Sequence, residues 1–250
     1  MIEPFFFEPN GALAFYHPSA NPDSRHMLII CPPLFDEYQR TYKALVDLAN
    51  ACTSHPQGPH VLRIDYSGTG EAQGVLSDST AINWLDDINN AIEEGIALTG
   101  SDNVDLMGVR FGAILAAQCH HSAVNRYIFW DPIDTGRIYL QWLDHVNSML
   151  RSSQRRIAKE INGEFENIPY VLFGLSQKVK QGMEKLSITK ILEQHPEKVW
   201  ITTTNKKIYE SRKYINCDFS GFEYGWPVFH QGDLIPKSVL KNIAQKVLDQ

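Results

Sequence analysis

Arg110 stands at the centre of DLMGVRFGAILAA, residues 105 to 117, with Gly108 and Gly112 two positions away on either side. The stretch reads as an apolar strand, a tight turn between glycines and an Ala-rich helix. A Gly-x-Ser-x-Gly turn of this shape presents a serine hydroxyl for attack on an acyl group. Here the middle position carries a guanidinium, which stays protonated at biological pH and has no lone pair to attack with. Acyl-enzyme formation is therefore closed at this position. A buried cation needs a counter-charge. Three carboxylates are candidates: Asp36 and Glu37 in CPPLFDEY, and Asp131 in FWDPI. Two readings stay open. Arg110 is locked internally by a bidentate pair with one of them, or it grips a carboxylate, phosphate or developing oxyanion of a ligand.

Other reactive side chains are weaker candidates. Cys31 ends an apolar run just before Pro32 and Pro33. A thiolate there would need a basic neighbour; otherwise it is a buried strand residue. Ser67 reads as a turn residue and Ser176 as a helix cap. The segment SGTGEAQG lacks the Lys-Ser/Thr of a phosphate loop and reads as a structural turn. His120 and His121 read as neighbours on a helix facing different ways, which excludes a shared metal. His17, His26, His55, His60, His145 and His195 read as loop or surface residues. Cys31, Cys52, Cys119 and Cys217 are scattered with no Cys-x-x-Cys pair, so neither zinc nor any other cofactor is expected.

These residues need a frame. ALAFYHP and the continuous apolar run HMLIICPP read as strands, and YQRTYKALVDLANACTS as a helix. HVLRIDY is a strand. STAINWLDDINNAIEEGIALTG is a helix with Ile82, Leu85, Ile88, Ile92 and Ile96 on one face, Ser79 or Thr80 as cap and Gly100 as stop. The strand NVDLMG, a helix from Phe111 to about His121 and the strand RYIFWDPI follow. Strands alternating with amphipathic helices argue for a parallel sheet covered on both faces. After Gly136 the alternation breaks into a helical block, with a long helix in RIYLQWLDHVNSMLRSSQRRIAKEI and a second one near Ser176. KVWITTT resumes the sheet, YINCDFSGF is the last strand, and PKSVLKNIAQKVLDQ closes the chain as a helix.

The composition suits a water-soluble globular chain: 250 residues, 43% hydrophobic, 21% charged, formal net charge −6. No basic stripe with interleaved aromatics supports nucleic-acid binding. The N-terminal MIEPFFFEPNG lacks a basic start and is interrupted by prolines, unlike a signal peptide. No apolar run reaches the length of a membrane span. The expected location is the cytoplasm. The run RSSQRRIAKE in the helical block is either a solvated helix face or a docking patch for an anionic partner.

The element order, with CPPLFDEYQRTYKAL, VLRIDYSGTGEAQG, LMGVRFGAILAA and FWDPIDTGRIYL, resembles the α/β-hydrolase fold. Within it, the chain resembles the exosortase A system-associated hydrolases, a serine-aminopeptidase-like branch whose members carry a double-proline loop with acidic residues and an arginine in the elbow. The resemblance implies an α/β fold with a mostly parallel central sheet flanked by helices. It also implies a core over residues 1–136 and 196–250 and a helical lid over 137–195. It places the anion-holding N–H groups at Leu34 and Phe111, because Pro32 and Pro33 have no N–H to offer. Asp131 matches a position where some α/β-hydrolases keep the triad acid. His230 precedes the final helix, where the triad histidine sits. The functions so implied are two. One is a hydrolase-derived enzyme for a small acyl or carboxylate-bearing substrate, with Arg110 holding charge and His230 as base. The other is a pseudo-hydrolase acting as a binding or scaffold partner through its lid, with a homodimer as one form of that partnership.

Overall fold

The computed structural model describes residues 2–160, 175–203, 216–218, 235 and 237–249. Strands β1 (Glu3–Phe7), β2 (Ala12–His17), β3 (His26–Cys31), β4 (His60–Asp65), β5 (Asn103–Val109), β6 (Val124–Trp130), β7 (Val199–Thr202) and β8 (Asn216–Asp218) form one sheet in the order β1-β2-β4-β3-β5-β6-β7-β8. β1 and β2 run antiparallel to their neighbours, and the remaining pairs are parallel. β3 and β4 are buried along their whole length, as continuous apolar runs require in a sheet covered on both faces.

Helices α1 (Asp36–Thr53) and α7 (Lys237–Leu248) cover one face, burying Leu45, Leu48, Val239 and Ile243 against Leu28, Ile30, Val61 and Met107. Helices α2 (Ala81–Thr99) and α3 (Phe111–Ala116) lie on the other. Thr80 caps α2 by accepting from the Asn83 N–H, and Gly100 ends it with a left-handed φ of 66°. The expected face of α2 faces the core at Leu85, Ile88, Ile92 and Ile96, and departs at Ile82. Trp84, Asp87, Ile88, Ala91, Ile92 and Gly95 point inward, and Ile82 is exposed. This phase brings Asp87 to the turn after β4, where its carboxylate accepts from the Ser67 N–H, the Ser67 hydroxyl and Asn10 Nδ2.

α3 is shorter than expected. It stops at Ala116, and the N–H groups of Gln118 and Cys119 close a turn onto Leu115 and Ala116. His120 and His121 therefore sit beyond the helix. The helical block contains α4 (Gly136–Glu160), α5 (Gln177–Glu184), capped by Ser176, and a short α6 (Thr189–Gln194). Tyr139, Leu143, Val179 and Met183 of this block join the same buried cluster as β3, β5 and α2.

Three histidines expected at the surface are strand residues with less than a tenth of their area exposed: His17, His26 and His60. Each buys its burial with hydrogen bonds, which the sequence pattern does not display. His26 Nε2 lies 2.8 Å from Asp105, and His60 Nδ1 accepts from the Ser19 N–H.

Candidate functional site

The turn at Arg110 joins β5 to α3 at the C-terminal edge of the sheet. The glycines and the central residue meet different demands of this turn. Gly108 and Gly112 are there for closeness rather than for positive φ: a Cβ on Gly112 would lie 2.2 Å from the Cys31 carbonyl oxygen. The left-handed conformation falls on Arg110 itself, with φ 54° and ψ −117°. Two more non-glycine residues at the ends of β3 and β6 have positive φ, Phe35 at 60° and Asp131 at 46°. Such conformations cost about 1–3 kcal/mol each and persist only where surroundings fix them.

The surroundings of Arg110 are specific. Its Nε donates to Glu37 Oε1 at 2.8 Å, and its NH1 donates to the Asp131 carbonyl at 3.3 Å. The side chains are 12% and 3% exposed, so this ion pair is nearly dry. The Tyr139 hydroxyl donates to the second Glu37 oxygen at 3.0 Å. The Trp142 ring lies 5.5 Å from the guanidinium carbon, within cation–π range. Burial pushes the Glu37 carboxyl up, and the facing guanidinium, which cannot give up its proton, pulls against that shift. For Arg110 burial opposes the charge, and Glu37 and Asp131 outweigh it, so its pKa rises.

The other expected residues distribute around this centre. Asp36 turns to Arg40 on α1, with Nε donating at 2.5 Å. The Asp131 carboxylate accepts from the Thr203 hydroxyl at 2.9 Å. Leu34 and Phe111 are both buried beside the turn, and among the described residues neither backbone N–H finds an acceptor. Cys31 is wholly buried, and burial pushes its thiol well up, away from the thiolate. His230 lies outside the described residues. Tyr139, Trp142 and Thr203 are the contributors that sequence reasoning missed. For the first two a signal existed: RIYLQWL puts two aromatics one helical turn apart, immediately after the strand bearing Asp131.

Open space lies along the loop that follows β3. A cleft of about 700 Å³ runs between the start of α1 and the turn after β4, lined by Leu34, Asp36, Tyr38, Tyr42, Thr69 and Glu71 among others. Asp65, at the end of β4, holds the two walls together. One carboxylate oxygen accepts from the Tyr38 hydroxyl at 2.5 Å and the other from the Glu71 N–H at 2.9 Å. Gly70 makes this possible, since a Cβ there would meet Asp65 Oδ2 at 2.2 Å. Among the described residues no group of His, Cys, Asp and Glu is arranged to hold a metal, and no helix is long and apolar enough to cross a membrane.

The sheet order, the flanking helices and the strand-turn-helix at Arg110 make this an α/β-hydrolase fold. Solved structures agree. Est1E from Butyrivibrio proteoclasticus with bound ferulic acid superposes with a TM-score of 0.64 at 16% identity, over 98% of both chains. The α/β hydrolase GrgF from Penicillium sp. sh18 gives 0.63 at 13% identity, over 100% of both. DcsB in complex with its substrate analogue gives 0.56 at 12% identity, over 87% of both. No protein-family model and no curated protein matches the chain.

Proposed function

We propose that the chain is a non-catalytic α/β-hydrolase-fold protein that binds a small ligand beside an elbow closed by its own ion pair. One observation carries this reading: the 2.8 Å contact between Arg110 and Glu37, nearly dry and backed by Tyr139. A guanidinium satisfied in this way is part of the interior and has little charge left to offer a substrate. The cleft lined by Leu34 and Asp36, on the loop that leads to Glu37, is of a size that takes small molecules. On the four segments that resemble the exosortase A-associated branch, we extend the proposal to a partner role in that setting.

The test is labelling with a fluorophosphonate probe, together with a panel of short acyl esters and thioesters, on wild type and Arg110→Ala. No labelling and equal background rates are expected. Stoichiometric labelling of wild type, or turnover lost in Arg110→Ala, overturns the reading.

The unengaged N–H groups of Leu34 and Phe111 favour a second reading. In it the site still accepts an acyl or carboxylate ligand, with Arg110 holding charge, His230 as base and Asp131 orienting it. Loss of ester turnover in His230→Ala with an unchanged fold would support it.

A further inference from the structure

The open cleft and the buried arginine have opposite electrostatic characters. Among the described residues, Asp36 and Glu71 line the cleft and no lysine, arginine or histidine does. Asp36 is answered by Arg40. Glu71 is exposed, and its side chain has no partner among the described residues. Tyr38 and Tyr42 meet edge to face at 5.7 Å on the opposite wall, with Phe35 and Gln39 beside them. Arg63 stacks 5.1 Å from the Tyr42 ring. It lies on β4 beneath the wall, two residues from the buried carboxylate of Asp65, whose charged form it favours.

A cavity with the Glu71 carboxylate on one wall, π faces on the other and, among the described residues, no basic lining group is suited to an organic cation. The ring quadrupole attracts positive charge, and a carboxylate fixes its direction. We infer that this cleft binds an organic ammonium, a primary or quaternary amine on a hydrophobic body, with its charge between Glu71 and the aromatic wall of α1. This names the ligand class of the binding function proposed above and rests on that reading. It departs from the expected carboxylate-bearing ligand, because Arg110, the cation expected to hold a carboxylate, is paired with Glu37.

The position of Glu71 is itself built. Its N–H is held by Asp65, which also holds Tyr38, so the backbone that carries Glu71 and the aromatic wall keep a fixed relation without a ligand.

The test is calorimetric titration of the full chain with benzyltrimethylammonium, benzylamine, benzyl alcohol and benzoate, on wild type, Glu71→Gln and Glu71→Lys, with folding of each variant checked by circular dichroism. Both ammonium compounds should bind, and benzoate should bind at least about tenfold more weakly. Glu71→Gln should weaken ammonium binding by about fivefold, the scale of a partly exposed ion pair, and Glu71→Lys should weaken it further. Added salt should weaken it in wild type. Equal binding of all four compounds, a preference for benzoate, no binding, or indifference to Glu71→Lys overturns the inference. The fluorophosphonate result separates the two proposals. Failed ammonium binding in an unlabelled protein sinks this inference alone, and labelling with ammonium binding intact sinks the non-catalytic reading alone.

Discussion

Arg110 and Glu37 are each costly to bury alone and tolerable together, so their variants should be strongly non-additive. Glu37→Gln removes the hydrogen-bonded counter-charge of a nearly dry guanidinium and should lower stability by about 3 kcal/mol, read from the urea midpoint. Replacing both, as Arg110→Met with Glu37→Leu, should cost far less than the sum of the single changes. Additive losses would mean the pair is not coupled as described. His17 offers a second residue-scale test. Its Nδ1 faces Asn50 Oδ1 at 3.1 Å and its Nε2 accepts from Arg63 Nε at 3.0 Å, so the folded state needs the neutral ring. Burial first, and Arg63 second, lower its pKa to about 4 from 6.5. The unfolded chain takes up a proton below 6.5 and the folded one does not until about 4. Stability is therefore present above pH 6.5 and falls as the pH drops through that window. His60, shifted the same way, adds to the loss. Urea midpoints measured across the window should fall with acid, and His17→Asn should flatten the slope.

At the scale of elements, the Arg110 turn shows what a sequence displays and what it withholds. Glycines at 108 and 112 after an apolar strand announce a crossing of backbones, and β5, the turn and α3 are there. Gly112→Ala should destabilise severely, because backbone of β3 rather than a mobile side chain stands 2.2 Å from the new methyl. A melting temperature near wild type would contradict that packing. The partner of Arg110 was legible only as a set of three carboxylates. Choosing Glu37 required knowing that α1 starts at Asp36, so that Asp36 meets Arg40 one turn on while Glu37 faces inward. Helical phase also explains α2, where the apolar stripe through Ile88 and Ile92 is buried as its spacing requires, Ile82 falls outside it, and Trp84 and Asp87 fall within. The buried histidines were illegible for a different reason. Their partners are between 33 and 79 residues away in the chain, beyond the reach of any local pattern.

The whole molecule is fastened at both ends of its sheet. Opposite the cleft, Asp105 accepts from His26 and from Arg126, whose NH1 also donates to the Asp249 carbonyl at 2.6 Å and whose NH2 donates to the Val247 carbonyl at 2.9 Å. This ties the end of α7 to β5 and β6. Arg126→Met should raise hydrogen exchange across α7, residues 237–248, well before the sheet opens. Uniform protection would show the clamp to be dispensable. The cleft edge is fastened by Asp65 in the same manner, one carboxylate bridging α1 and the turn after β4. A recess whose two sides are already tied has nothing to close when a guest arrives. Its occupation should be a single encounter-limited step, linear in guest concentration and free of a slow isomerising phase.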